Sequence, residues 1–327
     1  MIFQKIKYCP GTLAKGYNTY SRTCLKKVFK GKKVYHILPY NSPAYNTDAY
    51  NLFENNRKRI SISGVQEKFS LLLEKNKLRL INEGEQGEYI LKPIPKIGKN
   101  TDQMPANEHL TMQIASQVYG IETAKNALIF FSNGEPAYIT KRFDFNIDGA
   151  KLAQEDFASL SEKTPQTHGE NYKYSGSYLD LFILMKKYVA AYAVEAPKLF
   201  NLIMFNYIFS NGDAHLKNFS LIETTMGDYK LSPAYDLLNS SIHISDNDFA
   251  LEFGLLPKNI DKGKIRDKFI ILAKEAQISE KVYSGIINNM ISKTDLVEKL
   301  INASFLSDKI KRNYLQAYHK RLKKFLK

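Results

Sequence analysis

The sequence contains no tryptophan, only two cysteines, and few of the residues that interrupt regular structure, with 17 glycines and 11 prolines among 327 residues. The low glycine and proline content excludes collagen-like and low-complexity chains. Two cysteines are too few for a disulfide framework, which favours free thiols and a cytoplasmic location. The longest uninterrupted apolar run, residues 188–194, is far shorter than the about 18 residues that a bilayer requires. The first residues also lack the apolar core of a secretory signal.

The composition is otherwise that of a globular protein with an uneven positive charge. Hydrophobic residues make up 44% and charged residues 24% of the chain, and the formal net charge is +14. Residues 1–60 carry twelve basic and two acidic side chains, and residues 308–327 carry eight and one, whereas the stretch between them is slightly acidic. Two interpretations are open: the basic ends serve an anionic partner such as nucleic acid, or they are solvated faces of a lysine-rich chain. No nucleic-acid-binding motif accompanies the charge.

Hydrophobic alternation predicts a β-rich region over residues 61–145, after an irregular basic segment at 1–60. The predicted strands form two hairpins and one further strand, at 67–74 with 78–81, 127–131 with 137–143, and 88–92. Between them, Asn107 is expected to cap a helix that ends at Gly120. This region is therefore predicted to be an antiparallel sheet that carries one helix.

Residues 146–327 are predicted to be mostly helical. Long helices are expected at 178–194, 198–210, 282–301 and 305–326, and short strands at 221–222 and 229–231. The whole pattern predicts an α+β fold with two lobes, a small β-rich N-terminal lobe and a large α-helical C-terminal lobe.

The most informative stretch is NGDAHLKN, residues 211–218, which directly follows a long apolar segment that Gly212 is expected to end. Asp213 and Asn218 are five positions apart, as in the catalytic loop of protein kinases, where the Asp accepts the substrate hydroxyl proton and the Asn binds Mg²⁺. Asp236, beyond the next two strands, fits the second metal-ligating Asp, because hard oxygen ligands suit Mg²⁺. The alternative is that Asp213 and Asn218 only cap turns.

The β-rich region contains the remaining parts of a kinase site in the expected order. Residues 61–66 form a loop before the first hairpin, Lys92 ends a strand, and Glu108 lies in the first turn of the following helix. The loop has a single glycine and matches neither G-x-G-x-x-G nor G-x-x-x-x-G-K-[ST]. Its backbone amides would therefore hold phosphates with less conformational freedom than a glycine-rich loop allows.

Seven motifs, taken in order, resemble the HipA family of serine/threonine kinases, the toxins of bacterial toxin–antitoxin operons. They are SISGVQEK, YILKP, ANEHLTMQIA, ITKRFD, QEDFASL, NGDAHLKNFSL and LSPAYDLL. The resemblance begins near Arg59 and implies a HipA-like fold that is distantly protein-kinase-like. The chain is shorter than full-length HipA proteins, and its Ser-x-Ser pair before Gly64 is similar to the short HipT subgroup.

The resemblance implies ATP and Mg²⁺ as cofactors, with Asp213 as catalytic base and with Asn218 and Asp236 as metal ligands. Carried over by position, the nucleotide-binding residues are Ser63, Gly64, Val65, Gln66, Glu67 and Lys68 in the loop, Lys92 at the phosphates, Lys141, Arg142 and Phe143 at the adenine hinge, and His215, Leu216, Lys217, Asn218, Tyr235 and Asp236 at the phosphate end. The family often has Glu where Lys141 stands. If the adenine contact is made by the backbone, the difference is tolerated; if it is made by the side chain, the contact is lost.

The resemblance further implies that the γ-phosphate of ATP is transferred to a serine of an aminoacyl-tRNA synthetase, which arrests translation. The implied target is glutamyl-tRNA synthetase for HipA proper and tryptophanyl-tRNA synthetase for HipT. The implied partners are a HipB-like DNA-binding antitoxin and a small HipS-like protein, with DNA contacted only through the antitoxin and no membrane association.

Autophosphorylation at Ser61 or Ser63 is also implied by the resemblance. Phosphoserine adds about −1.5 to −2 charge, so the modified loop is expected to move and to bind ATP more weakly. The alternative is that both serines are turn residues. Two other functions stay open for the whole chain: an inactive kinase scaffold that binds nucleic acid through its basic ends, and a kinase of small molecules.

Overall fold

The computed structural model describes residues 6–42, 67–96, 98–146, 148–245 and 247–327. The strands within these ranges are β1 (Phe69–Glu74), β2 (Lys77–Leu80), β3 (Tyr89–Lys92), β4 (Asn126–Phe130), β5 (Pro136–Lys141), β6 (Gln154–Asp156), β7 (Ser220–Glu223) and β8 (Tyr229–Leu231). The helices are α1 (Arg22–Val28), α2 (Met104–Gln117), α3 (Phe157–Leu160), α4 (Pro165–His168), α5 (Tyr178–Tyr188), α6 (Tyr192–Ile208), α7 (Ile265–Glu275), α8 (Glu280–Ile291), α9 (Thr294–Ala303) and α10 (Asp308–Leu326).

The chain divides into two compact units. The first combines the described residues of Met1–Gln113, Ala124–Phe143 and Lys299–Lys311. The second combines those of Ile114–Thr123, Asp144–Glu298 and Arg312–Lys327. Among the described residues, no helix is both long enough and apolar enough to cross a membrane.

The first unit is built on a five-stranded antiparallel sheet in the order β2-β1-β3-β5-β4. This confirms the two predicted hairpins and the separate strand. Strand β2 alternates in burial, whereas β1, β4 and β5 each contain at least three consecutive buried residues. The buried side chains of the sheet pack with those of the N-terminal segment in a single core that includes Cys9, Cys24, Phe29, Leu71, Tyr89, Leu91, Ile129 and Ile139. Both cysteines are free thiols, as expected.

The N-terminal segment covers the outer edge of β4. The backbone N–H groups of Leu128 and Phe130 donate to the carbonyl oxygens of Pro10 and His36, over 2.8 and 2.9 Å. The N–H of Leu38 donates in return to the carbonyl of Phe130, over 2.7 Å. These bonds satisfy a sheet edge that would otherwise be open to another chain. The expectation of an irregular segment missed α1, whose N-terminus is capped by the Ser21 hydroxyl.

Two glycines of the chain are expected to respond in opposite ways to alanine. A Cβ atom on Gly11 would lie 2.0 Å from the Cys24 sulfur, so Gly11→Ala must displace a short buried side chain and should destabilise the protein by about 1–3 kcal/mol. Gly285, inside α8, has open space around its Cβ position. Gly285→Ala should stabilise by about 0.5–1 kcal/mol, because alanine is the better helix former. Urea denaturation measures the free energy of unfolding of both variants. Equal values for Gly11→Ala and Gly285→Ala would contradict the packing described at these two glycines.

The helix after β3 begins earlier than predicted. α2 starts at Met104, after a single 3-10 turn at Thr101–Gln103, and not after Asn107. Asn107 lies inside the helix, fully buried, and its backbone carbonyl accepts a hydrogen bond from the Thr111 hydroxyl. The sequence favoured Asn107 as a cap because asparagine is a good capping residue. In the structure, however, Asn107 is an interior residue of the helix with a buried side chain.

The second unit contains the antiparallel sheet β6-β7-β8 and most of the helices. The predicted helix 178–194 is two helices, α5 and α6, separated at Val189–Ala191. α6 begins at Tyr192 and not at Lys198, so Pro197 lies inside it. Likewise, the predicted helix 282–301 is two helices, α8 and α9. Strands β7 and β8 lie where the sequence predicted them, whereas β6 and α7 were missed.

Helix α10 packs through a stripe of apolar and aromatic side chains. Its buried side chains are Ile310, Tyr314, Tyr318, Leu322 and Phe325, at spacings of three and four residues. The rings of Tyr318 and Phe209 stack with centroids 5.1 Å apart. Leu326, at the end of the helix, is 51% exposed.

Candidate active site

The candidate catalytic loop follows α6, which is buried along most of its length. The chain leaves the helix through Ser210, whose φ is +54°, and not through Gly212 as predicted. The carbonyl of Ser210 accepts hydrogen bonds from the backbone N–H and the hydroxyl of Ser240, both over 3.0 Å. The Ser240 hydroxyl in turn accepts the N–H of Gly212 over 2.8 Å. These bonds hold a non-glycine residue in the left-handed region and fix where the loop begins.

Asp213 receives a tyrosine hydroxyl on its side chain. The Tyr174 O–H donates to Asp213 Oδ1 over 2.8 Å. Burial, and then the neighbouring Asp213 carboxylate, raise the pKa of Tyr174 above its usual value, so it remains a protonated donor. The next residue is fixed in a similar way, because the Tyr178 hydroxyl donates to the carbonyl of Ala214 over 2.8 Å.

Asn218 ends a 3-10 turn, Leu216–Asn218, that joins this loop to β7. Its side-chain oxygen Oδ1 is buried and has no hydrogen-bond partner among the residues that the structure describes. Buried amide oxygens are nearly always paired, so an unpaired one calls for an explanation. Leu216, in the same turn, is a buried apolar side chain.

His215 interacts electrostatically with both carboxylates of the site, Asp213 and Asp236. It is 8% exposed, and its ring meets that of Tyr174 edge-on with centroids 5.3 Å apart. Burial lowers the pKa of His215 to about 4, while Asp213 and, more weakly, Asp236 act to raise it. The imidazole is therefore neutral near pH 7, and both carboxylates lie within electrostatic range of it.

Asp236 lies on the segment that follows β8. Its φ is +55°, a backbone conformation that Asp and Asn adopt more readily than most residues. The Asn211 side-chain amide donates to the Asp236 carbonyl over 3.4 Å, which ties this segment to the catalytic loop. Just before it, the N–H of Ala234 donates to the carbonyl of Glu122 over 2.8 Å. The structure thus hydrogen-bonds the segment that carries Asp236 to the loop that carries Asp213 and Asn218.

Lys217 and Tyr235 join the same network. The Lys217 ammonium lies 3.9 Å from Asp156 Oδ2 and 3.5 Å from the Tyr172 hydroxyl. The Tyr235 hydroxyl donates to the Lys217 carbonyl over 3.0 Å and is hydrogen-bonded to the Ser220 hydroxyl. Of the residues predicted for the phosphate end, those from His215 to Asn218 thus lie on one loop, and Tyr235 contacts that loop directly.

The surroundings of Asn218, one of the two oxygen ligands predicted for Mg²⁺, fit that role. Asn218 Oδ1 is buried and has no partner within the described part of the chain, which is what an oxygen kept for a cation requires. No group of three or more His, Cys, Asp or Glu side chains that could hold a metal occurs among the described residues. An ion held by one carboxylate and one amide oxygen suits Mg²⁺, which keeps its other positions for water and phosphate.

In the first unit, Lys92 and Glu108 form a buried ion pair. Lys92 Nζ and Glu108 Oε1 are 2.7 Å apart, and the two side chains are 5% and 3% exposed. Lys92 lies at the end of β3 opposite Tyr138 of β5, and its ammonium is 5.4 Å from the centre of that ring. Glu108 belongs to the second turn of α2, one turn further in than the sequence predicted.

Removing one partner of this pair is expected to cost more stability than removing both. Lys92→Met leaves a buried carboxylate without its cation, which should lower the free energy of unfolding by about 3–5 kcal/mol. The double variant Lys92→Met/Glu108→Leu should recover most of that loss. Urea denaturation of the two single variants and the double variant gives the coupling energy. Strictly additive losses would contradict a direct buried pair.

The remaining nucleotide residues of the first unit are described in part. Glu67 and Lys68 precede β1, and Glu67 forms an ion pair with Lys96 over 2.9 Å. Lys141 ends β5, and burial, followed by the charge of Lys30, lowers its pKa. The other two predicted hinge residues, Arg142 and Phe143, come directly after β5. The remaining predicted positions lie outside the described residues: Ser61, Ser63, Gly64, Val65 and Gln66.

Three tyrosines at the site were not found from the sequence. Tyr172, Tyr174 and Tyr178 come about forty residues before the catalytic loop, and no motif or spacing connects them to it. The available signal in the sequence was weak: these tyrosines recur at intervals of two and four residues in an otherwise polar stretch.

Three relatives that carry kinase names resemble this chain over most of its length. It is 27% identical over 284 residues to a provisionally named kinase of Haemophilus influenzae, which covers 80% of this chain and 81% of that protein. It is 29% and 31% identical to Y4mE and Y4dM of Sinorhizobium fredii, which also carry provisional kinase names. Those two alignments cover 72% and 69% of this chain, which spans 55% and 56% of their length.

Two solved structures share the fold. HipA of Shewanella oneidensis, in a toxin–antitoxin complex with HipB and operator DNA, superposes with a TM-score of 0.58 and 19% identity over 80% of this chain and 63% of its own. The Helicobacter pylori proinflammatory kinase CtkA superposes with a TM-score of 0.52 and 12% identity, over 78% of this chain and 92% of its own. These likenesses confirm the predicted mixed helix-and-sheet, HipA-like and kinase-like fold.

The sequence profile of the HipA-like C-terminal domain matches residues 60–297, which is most of the chain and includes every motif quoted above. The loop, the strand lysine and the helix glutamate that the structure describes all lie within the matched region. The chain therefore belongs to the HipA-like C-terminal domain family.

Proposed function

We propose that this protein is a Mg²⁺- and ATP-dependent serine/threonine protein kinase and the toxin of a toxin–antitoxin system, of the short HipT type. One observation carries the proposal: the loop after α6 holds a carboxylate and, five residues later, a buried amide oxygen without a partner among the described residues. The family membership and the kinase-like fold agree with it.

Asp213 is proposed as the catalytic base. Its carboxylate accepts the proton of the substrate serine hydroxyl as the serine oxygen bonds to the γ-phosphorus, and the bond from that phosphorus to the bridging oxygen of ADP breaks. Tyr174 occupies only one of the two carboxylate oxygens, Oδ1. A carboxylate has about four acceptor positions, so room remains for the substrate hydroxyl.

Asn218 and Asp236 are proposed to hold Mg²⁺, which when bound would neutralise charge on the nucleotide phosphates. The first ligand is supported by Asn218 Oδ1, which is buried and accepts no hydrogen bond from the residues that the structure describes. The bond from Asn211 to the Asp236 carbonyl supports the second, because it keeps Asp236 beside the loop.

Lys92 is proposed to contact the nucleotide phosphates, with Glu108 as its fixed counter-charge. The proposed nucleotide loop is residues 63–68, and the proposed adenine hinge is residues 141–143. Lys141 is partly buried at the end of a strand, and its N–H donates to the Lys125 carbonyl. A Lys at this position is tolerated if the adenine contact uses the backbone.

The proposed substrate is a serine of an aminoacyl-tRNA synthetase, tryptophanyl or glutamyl, and the proposed partners are a HipB-like antitoxin and a HipS-like protein. The similarity to a HipA that was solved with HipB and operator DNA supports the antitoxin. Ser61 and Ser63 are proposed as autophosphorylation sites that lower ATP affinity.

The experiment is to incubate the protein with γ-labelled ATP, Mg²⁺ and a bacterial lysate, beside the Asp213→Ala variant. We expect labelled synthetase with the wild type and none with the variant, and intact-mass analysis should find phosphate only on the wild type. Label confined to small molecules would point to a small-molecule kinase. No transfer, together with salt-sensitive DNA binding, would favour the nucleic-acid regulator and overturn the proposal.

A further inference from the structure

A short turn outside the family motifs lies against the candidate catalytic loop. Tyr172–Tyr174, a 3-10 turn that we call the tyrosine turn, contacts the loop at three points. The Tyr174 hydroxyl donates to Asp213 Oδ1, the Tyr174 ring meets His215 edge-on, and the Tyr172 hydroxyl lies 3.5 Å from the Lys217 ammonium. One turn thus contacts three side chains of the predicted site.

The tyrosine turn is itself held by hydrogen bonds from a backbone N–H and from two side chains. The N–H of Glu252 donates to the Tyr174 carbonyl over 2.8 Å. The Lys163 ammonium donates to the carbonyl of Ser175 over 2.9 Å, and the Ser175 hydroxyl donates back to the Tyr172 carbonyl over 2.9 Å. A hydroxyl on such an anchored turn can fix the orientation of the group that accepts its hydrogen bond.

We propose that Tyr174 is a positioning residue for phosphoryl transfer, an inference that rests on the proposed role of Asp213 as the base. Its hydroxyl holds Oδ1, and so sets the rotation of the carboxylate and directs the other oxygen, Oδ2, to the substrate hydroxyl. His215 supports this arrangement, because its neutral ring packs on Tyr174 and its backbone N–H donates to the Asp213 carbonyl over 2.8 Å.

Positioning predicts a specific kinetic signature. Tyr174→Phe removes one oxygen atom and keeps the ring against His215, so the fold should not change. A carboxylate that is free to rotate is less often aligned with the substrate, which should lower kcat about tenfold. The KM for ATP should change less than about twofold, because the lost hydroxyl contacts Asp213, which is not a proposed nucleotide ligand, and the ring that contacts His215 is kept.

The matched control is Tyr192→Phe. Tyr192 also donates its hydroxyl to an acceptor over 2.8 Å, the carbonyl of Ala276, and it is also half-buried, but it lies outside the proposed site. This variant should keep the wild-type kcat. A second control places Tyr174→Phe in an Asp213→Asn background, where it should have no further effect on the residual rate, since the base it positions is gone.

The test is single-turnover phosphoryl transfer by the full chain, measured for wild type, Tyr174→Phe, Tyr192→Phe, Asp213→Asn and the double variant. Positioning is supported if Tyr174→Phe lowers the transfer rate tenfold, Tyr192→Phe does not lower it, and the double variant is no slower than Asp213→Asn. If Asp213→Asn inactivates but Tyr174→Phe keeps the wild-type rate, the inference fails alone. A faster Tyr174→Phe would mean that the hydroxyl blocks the substrate position, which also overturns it. If Asp213→Asn leaves transfer intact, the proposed function fails, and the inference falls with it.

Discussion

Asparagine in place of Asp213 is expected to lower phosphoryl transfer by about a thousandfold. The amide cannot accept a proton from the substrate hydroxyl, but it has nearly the same shape as the carboxylate. Its oxygen can still accept the Tyr174 hydroxyl, so the hydrogen bond that anchors this position survives. The KM for ATP should stay close to that of the wild type, because Asp213 is not a proposed phosphate or metal ligand. Steady-state kinetics with γ-labelled ATP measure both constants.

The matched control for this prediction is Asp228→Asn. Asp228 lies in the exposed turn between β7 and β8, where its carbonyl and carboxylate accept from Thr224. This variant makes the same chemical change outside the site and should be fully active. Wild-type turnover by Asp213→Asn, with an unchanged thermal midpoint, would remove Asp213 from the role of base.

Leucine in place of Asn218 is expected to separate stability from activity. Asn218 Oδ1 is buried without a partner among the described residues, so the folded protein bears its desolvation cost. Leucine has the same forked side chain as asparagine and lacks the polar oxygen, so the free energy of unfolding of Asn218→Leu without metal should stay equal or rise by about 1 kcal/mol. Transfer should fall about a hundredfold, because a proposed Mg²⁺ ligand is lost.

Urea denaturation without Mg²⁺ and kinetics over a Mg²⁺ series test this prediction together. The control is Asn206→Leu, because Asn206 Oδ1 accepts a hydrogen bond from the Asn211 amide over 2.8 Å within the fold. That variant should be destabilised by about 1–3 kcal/mol. If Asn218→Leu behaves in the same way and keeps its activity, Asn218 is structural.

The strands were the part of the fold that the sequence predicted best. β1, β2, β3, β4 and β5 lie within two residues of the predicted positions at every end, because short apolar runs bounded by turn residues are a local signal of strands. Helix ends were predicted poorly for a physical reason. The break between α5 and α6 at Val189–Ala191 contains no glycine or proline, so nothing local marks it, and Pro197 marked an end where none occurs.

The candidate site was predictable where its residues are close in sequence. Asp213 and Asn218 share one loop, and the spacing between them carries the chemistry. Tyr174 could not be predicted, because it contacts Asp213 across 39 positions and only tertiary structure brings the two together. Ser210 was missed for a similar reason: Gly212 was the expected exit from α6, but bonds from Ser240 hold Ser210 in the left-handed conformation.

The most direct test of the account is divalent-ion binding, with Mn²⁺ as a paramagnetic substitute for Mg²⁺, titrated by electron paramagnetic resonance in the presence of a non-hydrolysable ATP analogue. Wild type and Asp213→Asn should bind Mn²⁺ with equal affinity, because the base is not a ligand. Asn218→Leu and Asp236→Asn should each bind at least about tenfold more weakly; asparagine also suits the backbone at position 236, where φ is +55°. Equal affinity in all four proteins would contradict the central claim that Asn218 and Asp236 hold the metal beside the base.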